Sequence, residues 1–270
     1  MLDEITITRA IIDSYSRKLN SITEVDVAIC GAGPSGLVCA RDLALKGKRV
    51  VVFERKLSIG GGMWAGGMLF NDIVVQKRAK AILDEYKIRT RKYKNNYYVA
   101  DAVECVCAFG LEALKSGVVI INGVSVEDVM VRKNKVCGVV INWSAVEIAN
   151  LHVDPLTIKA KAVVDATGHP TEIVKIVQNK SGIKLKTKTG KILGERSMWA
   201  DIAESTVEKN TKEVCSGLFV TGMCANAVYG APRMGPIFGG MILSGKKCAK
   251  MILSKLSPSP RHSDNRRLKI

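Results

Sequence analysis

Two of the chain's three histidines stand beside other side chains that can do chemistry: His152 lies two residues before Asp154 in "ANLHVDPLTI", and His169 follows "VVDATG". An imidazole and a carboxylate in such stretches can ligate a divalent transition metal or pass protons near neutral pH. They can equally be surface or packing residues. A third reactive position is Arg233 in "PRMGPIFGG". Its guanidinium precedes a helix-like run, so its planar fork and the positive end of the helix can both hold a carboxylate, or it can pair with a neighbouring acid. Cys105 and Cys107 form a C-x-C pair, but two soft ligands on one predicted strand, with no second pair, read as packing.

A fourth group of residues points to phosphate. "GAGPSG" places Gly31, Gly33 and Gly36 in the G-x-G-x-x-G pattern. The first glycine allows a tight turn, the second lets backbone approach a pyrophosphate, and the third brings helix against strand. Alone the pattern is weak. Its context strengthens it, because Val25–Cys30, apolar but for Asp26, predicts a strand buried on both faces. "SGLVCARDLALKG" then spaces Leu37, Ala40 and Ala44 as a helix ending at Gly47, and "KRVVVFER" predicts the next buried strand. Glu54 ends that strand 18 residues after Gly36, where its carboxylate can accept from both hydroxyls of a nucleotide ribose.

The elements that must position these groups read as one α/β domain over residues 1–256, with residues 1–23 as an amphipathic helix whose apolar positions include Ile5, Ile11, Ile12 and Leu19. The Val- and Ile-rich middle, broken by "KNK", predicts strands joined by hairpins. "KAVVDATG" and "SGLFVTGM" predict further strands of a central parallel sheet, and "GPIFGGMILSGKKCAKMIL" a closing helix with Ile242, Ala249 and Ile252 on one face. No repeat or linker interrupts this. Residues 257–270, His262 included, have Pro, Ser and charge without an apolar period and read as a solvated tail.

This order of elements, a Rossmann-like dinucleotide fold with an added β-meander, resembles the two-dinucleotide-binding flavoproteins. That resemblance implies FAD as one possible ligand and an oxidoreductase as the alternative function. Typical members end the late strand motif in Gly-Asp, and that Asp bonds the flavin's ribityl chain. Here the position is Met223.

Composition narrows the classes. With 270 residues and 47% hydrophobic content the chain can bury a core, and no window approaches the ~20 apolar residues of a membrane span. "MLDEITITRA" lacks the basic start and apolar run of a signal peptide, so a cytoplasmic protein with no membrane association is expected. Eight scattered cysteines without a C-x-x-C pair suggest buried thiols in a reducing compartment. The formal net charge of +16 is spread over segments such as "KIRTRKYKNN" with few interleaved aromatics, which favours attraction of small anionic substrates over nucleic-acid binding.

Four further segments, "GGGMWAGGMLF", "NLHVDP", "DATGH" and "RMGPIFGGMILSG", together with the glycine fingerprint, resemble one family in order from about residue 5 to 256: the thiamine thiazole synthases, or ADP-thiazole synthases. The resemblance implies that NAD is a substrate. Its nicotinamide is released, the ADP-ribose sugar isomerises to a ketose, glycine condenses with it, sulfur enters, and dehydration gives an adenylated thiazole carboxylate. In suicidal members a Cys at the place of His152 gives up its own sulfur. Histidine has none, so the resemblance implies a multiple-turnover enzyme using free sulfide and Fe(II). By the same likeness Asp154 and His169 are the iron ligands, and Arg233 binds glycine. Gly31, Gly33, Ser35, Gly36, Glu54, Arg55, Gly62, Val126, His152, Val153, Asp154 and Met223 contact the nucleotide. The role of His152 stays open between nucleotide contact, acid–base work and filling the space of a cysteine. The family's homo-octamer implies sites completed across protomers.

Overall fold

The computed structural model describes residues 1–256; the expected tail at 257–270, with His262, lies outside the described residues. Helix α1 (Glu4–Ile22) is capped by Asp3, whose carboxylate accepts from the Thr6 N–H at 2.8 Å. The helix expected over residues 1–23 therefore forms, but of its expected apolar positions only Leu19 packs, partly buried, against a core of this chain. Ile5, Ile11 and Ile12 are exposed, and Ile22 is the helix's buried residue.

Strand β1 (Glu24–Cys30), helix α2 (Pro34–Ala44) and strand β2 (Val50–Glu54) form the expected βαβ unit, with β1 and β2 parallel from Val27 opposite Val50 to Cys30 opposite Phe53. Side chains alternate between two cores. Val27, Ile29, Val50 and Val52 enter one, while Ala28, Cys30, Val51 and Phe53 enter the other. Each fully buried Val or Ile contributes about 1.5–3 kcal/mol, so the strands are fixed by their own apolar runs rather than by loops. Pro34 starts α2 with its preset φ, and Gly47 at φ +75 turns the chain back after the helix.

A 3₁₀ turn (Gly61–Ala65) precedes β3 (Asp72–Gln76), α3 (Lys77–Glu85), β4 (Arg91–Lys92) and β5 (Tyr97–Asp101). The three strands form a separate antiparallel sheet in the order β3-β5-β4. Sequence reading misses this sheet because the strands are short and partly exposed and so lack a sustained apolar run. Next comes α4 (Ala102–Lys115), capped by Asp101 accepting from the Glu104 N–H at 2.7 Å. Here the structure corrects an expectation: Cys105 and Cys107 lie on this helix, not on a strand, with Cys105 buried and Cys107 exposed. Residues two apart on a helix point in widely different directions, so the pair does not chelate. The short run "AVECVC", apolar but for Glu104, fits a strand as well as a helix, and the Asp101 cap with the long apolar face behind it decides for helix.

Strand β6 (Val119–Asn122) extends the sheet beyond β2, in parallel. The hairpin of β7 (Val124–Arg132) and β8 (Lys135–Trp143) turns at Lys133 and Asn134, both left-handed, as "KNK" predicts. After α5 (Ser144–Ile148), strand β9 (Leu156–Asp165) pairs antiparallel with β8 and parallel with β1. The chain continues through α6 (Glu172–Lys180), α7 (Ala200–Asn210), β10 (Lys212–Cys215), β11 (Leu218–Val220), α8 (Met223–Tyr229) and α9 (Gly239–Lys255). The sheet order β10-β11-β9-β1-β2-β6, with the β7–β8 hairpin attached through β9, is the expected α/β architecture: a mostly parallel sheet plus an antiparallel meander. Six thiols are buried, whereas Cys107 is exposed and Cys137 half-buried. Among the described residues no helix is long and apolar enough to cross a membrane.

Candidate functional site

In open α/β sheets ligands bind outside the carboxyl ends of the strands, and here β1, β2, β9 and β11 end around one cavity of about 750 Å³. Gly31, Gly33, Ser35, Glu54, Arg55, Gly62, Val126, His169, Met223 and Arg233 all line it. Gly36 lies beneath the wall and makes the wall possible, since a Cβ there would sit 2.2 Å from the Gly31 carbonyl oxygen. Gly31 has φ +104, and a Cβ on it would lie 2.5 Å from the Ala166 carbonyl oxygen. The Cβ positions of Gly33 and Gly62 meet nothing within 4 Å, so the backbone there is open to a ligand. No side chain caps α2, which leaves first-turn N–H groups for an anion.

Glu54 is buried and braces the cradle. One carboxylate oxygen accepts from the Ala32 N–H and the other from the Lys56 N–H, both at 2.9 Å. An ionised carboxylate has about four acceptor positions, so capacity for ribose hydroxyls remains. Beside it Arg55 pairs with Glu172 at 2.5 Å. Burial pushes the Glu172 carboxyl above its ordinary range, against the pull of Arg55. The guanidinium is half open to water, where such a pair is worth about 0–1 kcal/mol, so a ligand can displace it at little cost.

His169 is carried by the turn between β9 and α6. Fully buried Asp165 ties that turn together: its carboxylate accepts from the Thr167 N–H at 3.0 Å, the Thr167 hydroxyl at 2.7 Å and the Val174 N–H at 2.9 Å. Burial raises the Asp165 carboxyl, and these donors pull it back. Thr171 is held at φ 50 with its buried hydroxyl unpartnered, a strained conformation for a β-branched residue. On the outer side, His169 Nδ1 lies 2.6 Å from Glu195 Oε1.

Arg233 reaches the cavity from the segment before α9. The expected sharing of a carboxylate between Arg233 and the N-terminus of α9 meets a competing acceptor there. Glu204 on α7 already accepts from the Gly240 N–H at 2.7 Å, so part of that terminus is occupied from within the chain. Burial pushes the Glu204 carboxyl up, opposed by this one amide, and its second oxygen is buried without a partner among the described residues.

His152, Val153 and Asp154 do not line the large cavity. They border a smaller hollow of about 340 Å³ with Glu127, Asn142 and Glu147. Asn150, left-handed at φ 52, ends α5 and turns the following loop outward. The Asn142 side-chain amide donates to the Val153 carbonyl at 3.1 Å, yet Leu151 is 61% and Val153 45% exposed. Among the described residues no three potential ligands of one chain gather as a metal site. The two expected ligands, Asp154 and His169, thus line different hollows of this chain.

A model of the Thi4 family matches residues 8–238. The chain belongs to the Thi4 family. It is 56% identical over 255 residues to the thiamine thiazole synthase of Methanothermobacter thermautotrophicus, covering 94% of this chain and 99% of that one. It is 54% identical over 256 residues to the thiamine thiazole synthase of Pyrococcus horikoshii, covering 95% and 99%. The crystal structure of Thermovibrio ammonificans THI4 matches with a TM-score of 0.91 at 52% identity, over 94% of this chain and 98% of that one. In this Thi4 chain, sequence reading overlooks Glu172, Glu195 and Glu204. Each meets its partner from a distant stretch, and none carries a local motif.

Proposed function

We propose that the chain is a sulfide-dependent ADP-thiazole synthase that makes the thiazole moiety of thiamine from NAD, glycine and sulfide, requires Fe(II) and turns over repeatedly. The observation that carries this reading is the single cavity of a Thi4-family chain on which the glycine fingerprint, Glu54, His169 and Arg233 converge. In this reading the open backbone at Gly33 and the first turn of α2 hold the pyrophosphate, and Glu54 holds the ribose. Val126 and Met223 line the nucleotide's apolar side, Ser35 and Gly62 its polar approach, and Arg55 exchanges Glu172 for the ligand. Arg233 takes the carboxylate of glycine through its planar fork. His152 stands where the suicidal members of the resembling family carry the sulfur-donating Cys, and its side chain has no sulfur to lose.

The donor set fits a ferrous ion when Asp154 of one copy meets His169 of another. The His169 ring has one nitrogen engaged by Glu195 and the other without a hydrogen-bond partner among the described residues, and Asp154 lies on a loop with exposed Leu151 and Val153. Such a loop suits the proposed homo-octamer with shared sites. Bound there, Fe(II) supplies Lewis-acid activation of sulfide and substrate. The chain's residues anchor both organic substrates beside that position. Met223, at the place of the flavoproteins' ribityl-binding Asp, offers no carboxylate for the alternative flavin reading.

Purified protein incubated anaerobically with NAD, glycine, sulfide and Fe(II) is expected to yield several thiazole products per chain, counted by mass spectrometry. A single turnover accompanied by loss of mass from the protein overturns the reading.

A further inference from the structure

Glu195 lies in a strap, residues 193–199, that runs along residues 228–233 through backbone hydrogen bonds. The Leu193 N–H donates to the Val228 carbonyl, Arg196 to Ala231 and Trp199 to Arg233, each at 3.1 Å, and the Arg233 N–H donates back to Arg196 at 3.0 Å. Glu195 is therefore held by bonded backbone on both sides, and its side chain is only 20% exposed. Its Oε1 lies 2.6 Å from Nδ1 of His169. The backbone that carries the same imidazole belongs to the turn that Asp165 ties together. An ionised carboxylate can only accept, so a bond at this distance puts the ring proton on Nδ1 and leaves Nε2 as the nitrogen with a free lone pair.

We propose that Glu195 is a positioning residue for His169: it holds the Nδ1–H tautomer and the ring orientation that present Nε2 to a divalent metal. The assignment rests on the iron reading above and goes beyond it, because Glu195 acts without touching metal or substrate. Partners of this kind raise ligand basicity and fix ring direction, and losing one weakens metal binding by about 10–100-fold. The strap also pins the backbone of Arg233, so the imidazole and the carboxylate anchor share one frame. Relaxing the strap would disturb both.

The test uses the whole chain labelled with ¹⁵N at histidine. Magic-angle-spinning NMR of the metal-free protein reads the His169 tautomer, with His169→Ala assigning the signal among three histidines. Anaerobic Fe(II) titration reads affinity. In the wild type a protonated Nδ1 and a bare Nε2 are expected. Glu195→Ala is expected to mix the tautomers and weaken Fe(II) by about 10–100-fold. Glu195→Gln, whose amide oxygen still accepts from Nδ1–H, is expected to restore the tautomer and most of the affinity. A wild-type ring protonated on Nε2 overturns the proposal. So does a Glu195→Ala protein with both tautomer and affinity unchanged. If Glu195→Ala does not fold, the wild-type spectrum and Glu195→Gln still decide. Wild type that binds no Fe(II) defeats the iron reading alone, since the metal-free spectra continue to report on Glu195.

Discussion

The glycine cradle and the 149–155 loop carry comparable numbers of candidate side chains, yet the chain treats them oppositely. Around the cradle, backbone and side chains close on each other within one chain: Glu54 accepts from the backbone just past β1 and just past β2, Asp165 ties the neighbouring turn, and Gly36 packs against Gly31. At the loop, His152 and Asp154 follow a left-handed Asn150 and border a small hollow, and among the described residues no three potential ligands gather there. The contrast teaches that the groups around the cradle are completed within one chain, whereas Asp154 and His169 of one chain line different hollows, so that the metal site proposed above calls on a second copy.

The strongest way to break the comparison is complementation. Asp154→Ala and His169→Ala are each expected to abolish thiazole formation while NAD binding persists. Co-expressed, the two are expected to regain activity at roughly a quarter of the sites, because random assortment pairs an intact Asp154 with an intact His169 that often. Mixed assemblies that form and stay inactive would place both ligands in one chain and remove the contrast.

Next in size is Gly36→Ala. A methyl 2.2 Å from a backbone oxygen cannot be absorbed by a flexible side chain, so a loss of about 3 kcal/mol is expected, seen as a melting temperature lower by about 5–10 °C. Asn150→Ala, on the open loop, is expected to cost about 1 kcal/mol. Equal losses would mean that the loop is as tightly built as the cradle.

Glu54→Gln sharpens the functional side of the contrast. Losing charge-assisted acceptance should weaken NAD by about tenfold in a calorimetric titration and leave Fe(II) binding unchanged. Coupled losses of both would show that the two regions are not separable.

The smallest effect concerns pH. The Glu204 carboxyl is raised in the folded chain, so stability is present below the ordinary glutamate range near 4.5 and is lost as pH rises through the folded value. Glu204→Gln keeps an acceptor for Gly240 without the buried charge. It is expected to melt about 2–4 °C above wild type at pH 8, with the gap closing toward pH 4.5. A gap that widens in acid reverses the sign.

What could be read from the sequence follows from how locally each feature is encoded. The βαβ unit, the "KNK" hairpin and the closing helix are legible because apolar period, Pro and Gly act over a few residues. The "AVECVC" helix is illegible for the same reason: so short an apolar run fits a strand as well as a helix, and only a cap and a long buried face distinguish the two. The β3-β5-β4 sheet was invisible because its strands are specified by pairing, not by their own apolar content.

The sequence by itself determined the parallel sheet, the glycine cradle and the carboxylate at the end of β2, because each lies within one supersecondary unit. Tertiary structure alone decided that Glu195 faces His169 across 26 residues, that Glu204 occupies the start of α9, and that His152 and Asp154 stand apart from the cavity. Those relations join segments with no common period. They depend on where packed elements bring chain ends together, and that position is set by the whole core rather than by any local run of residues.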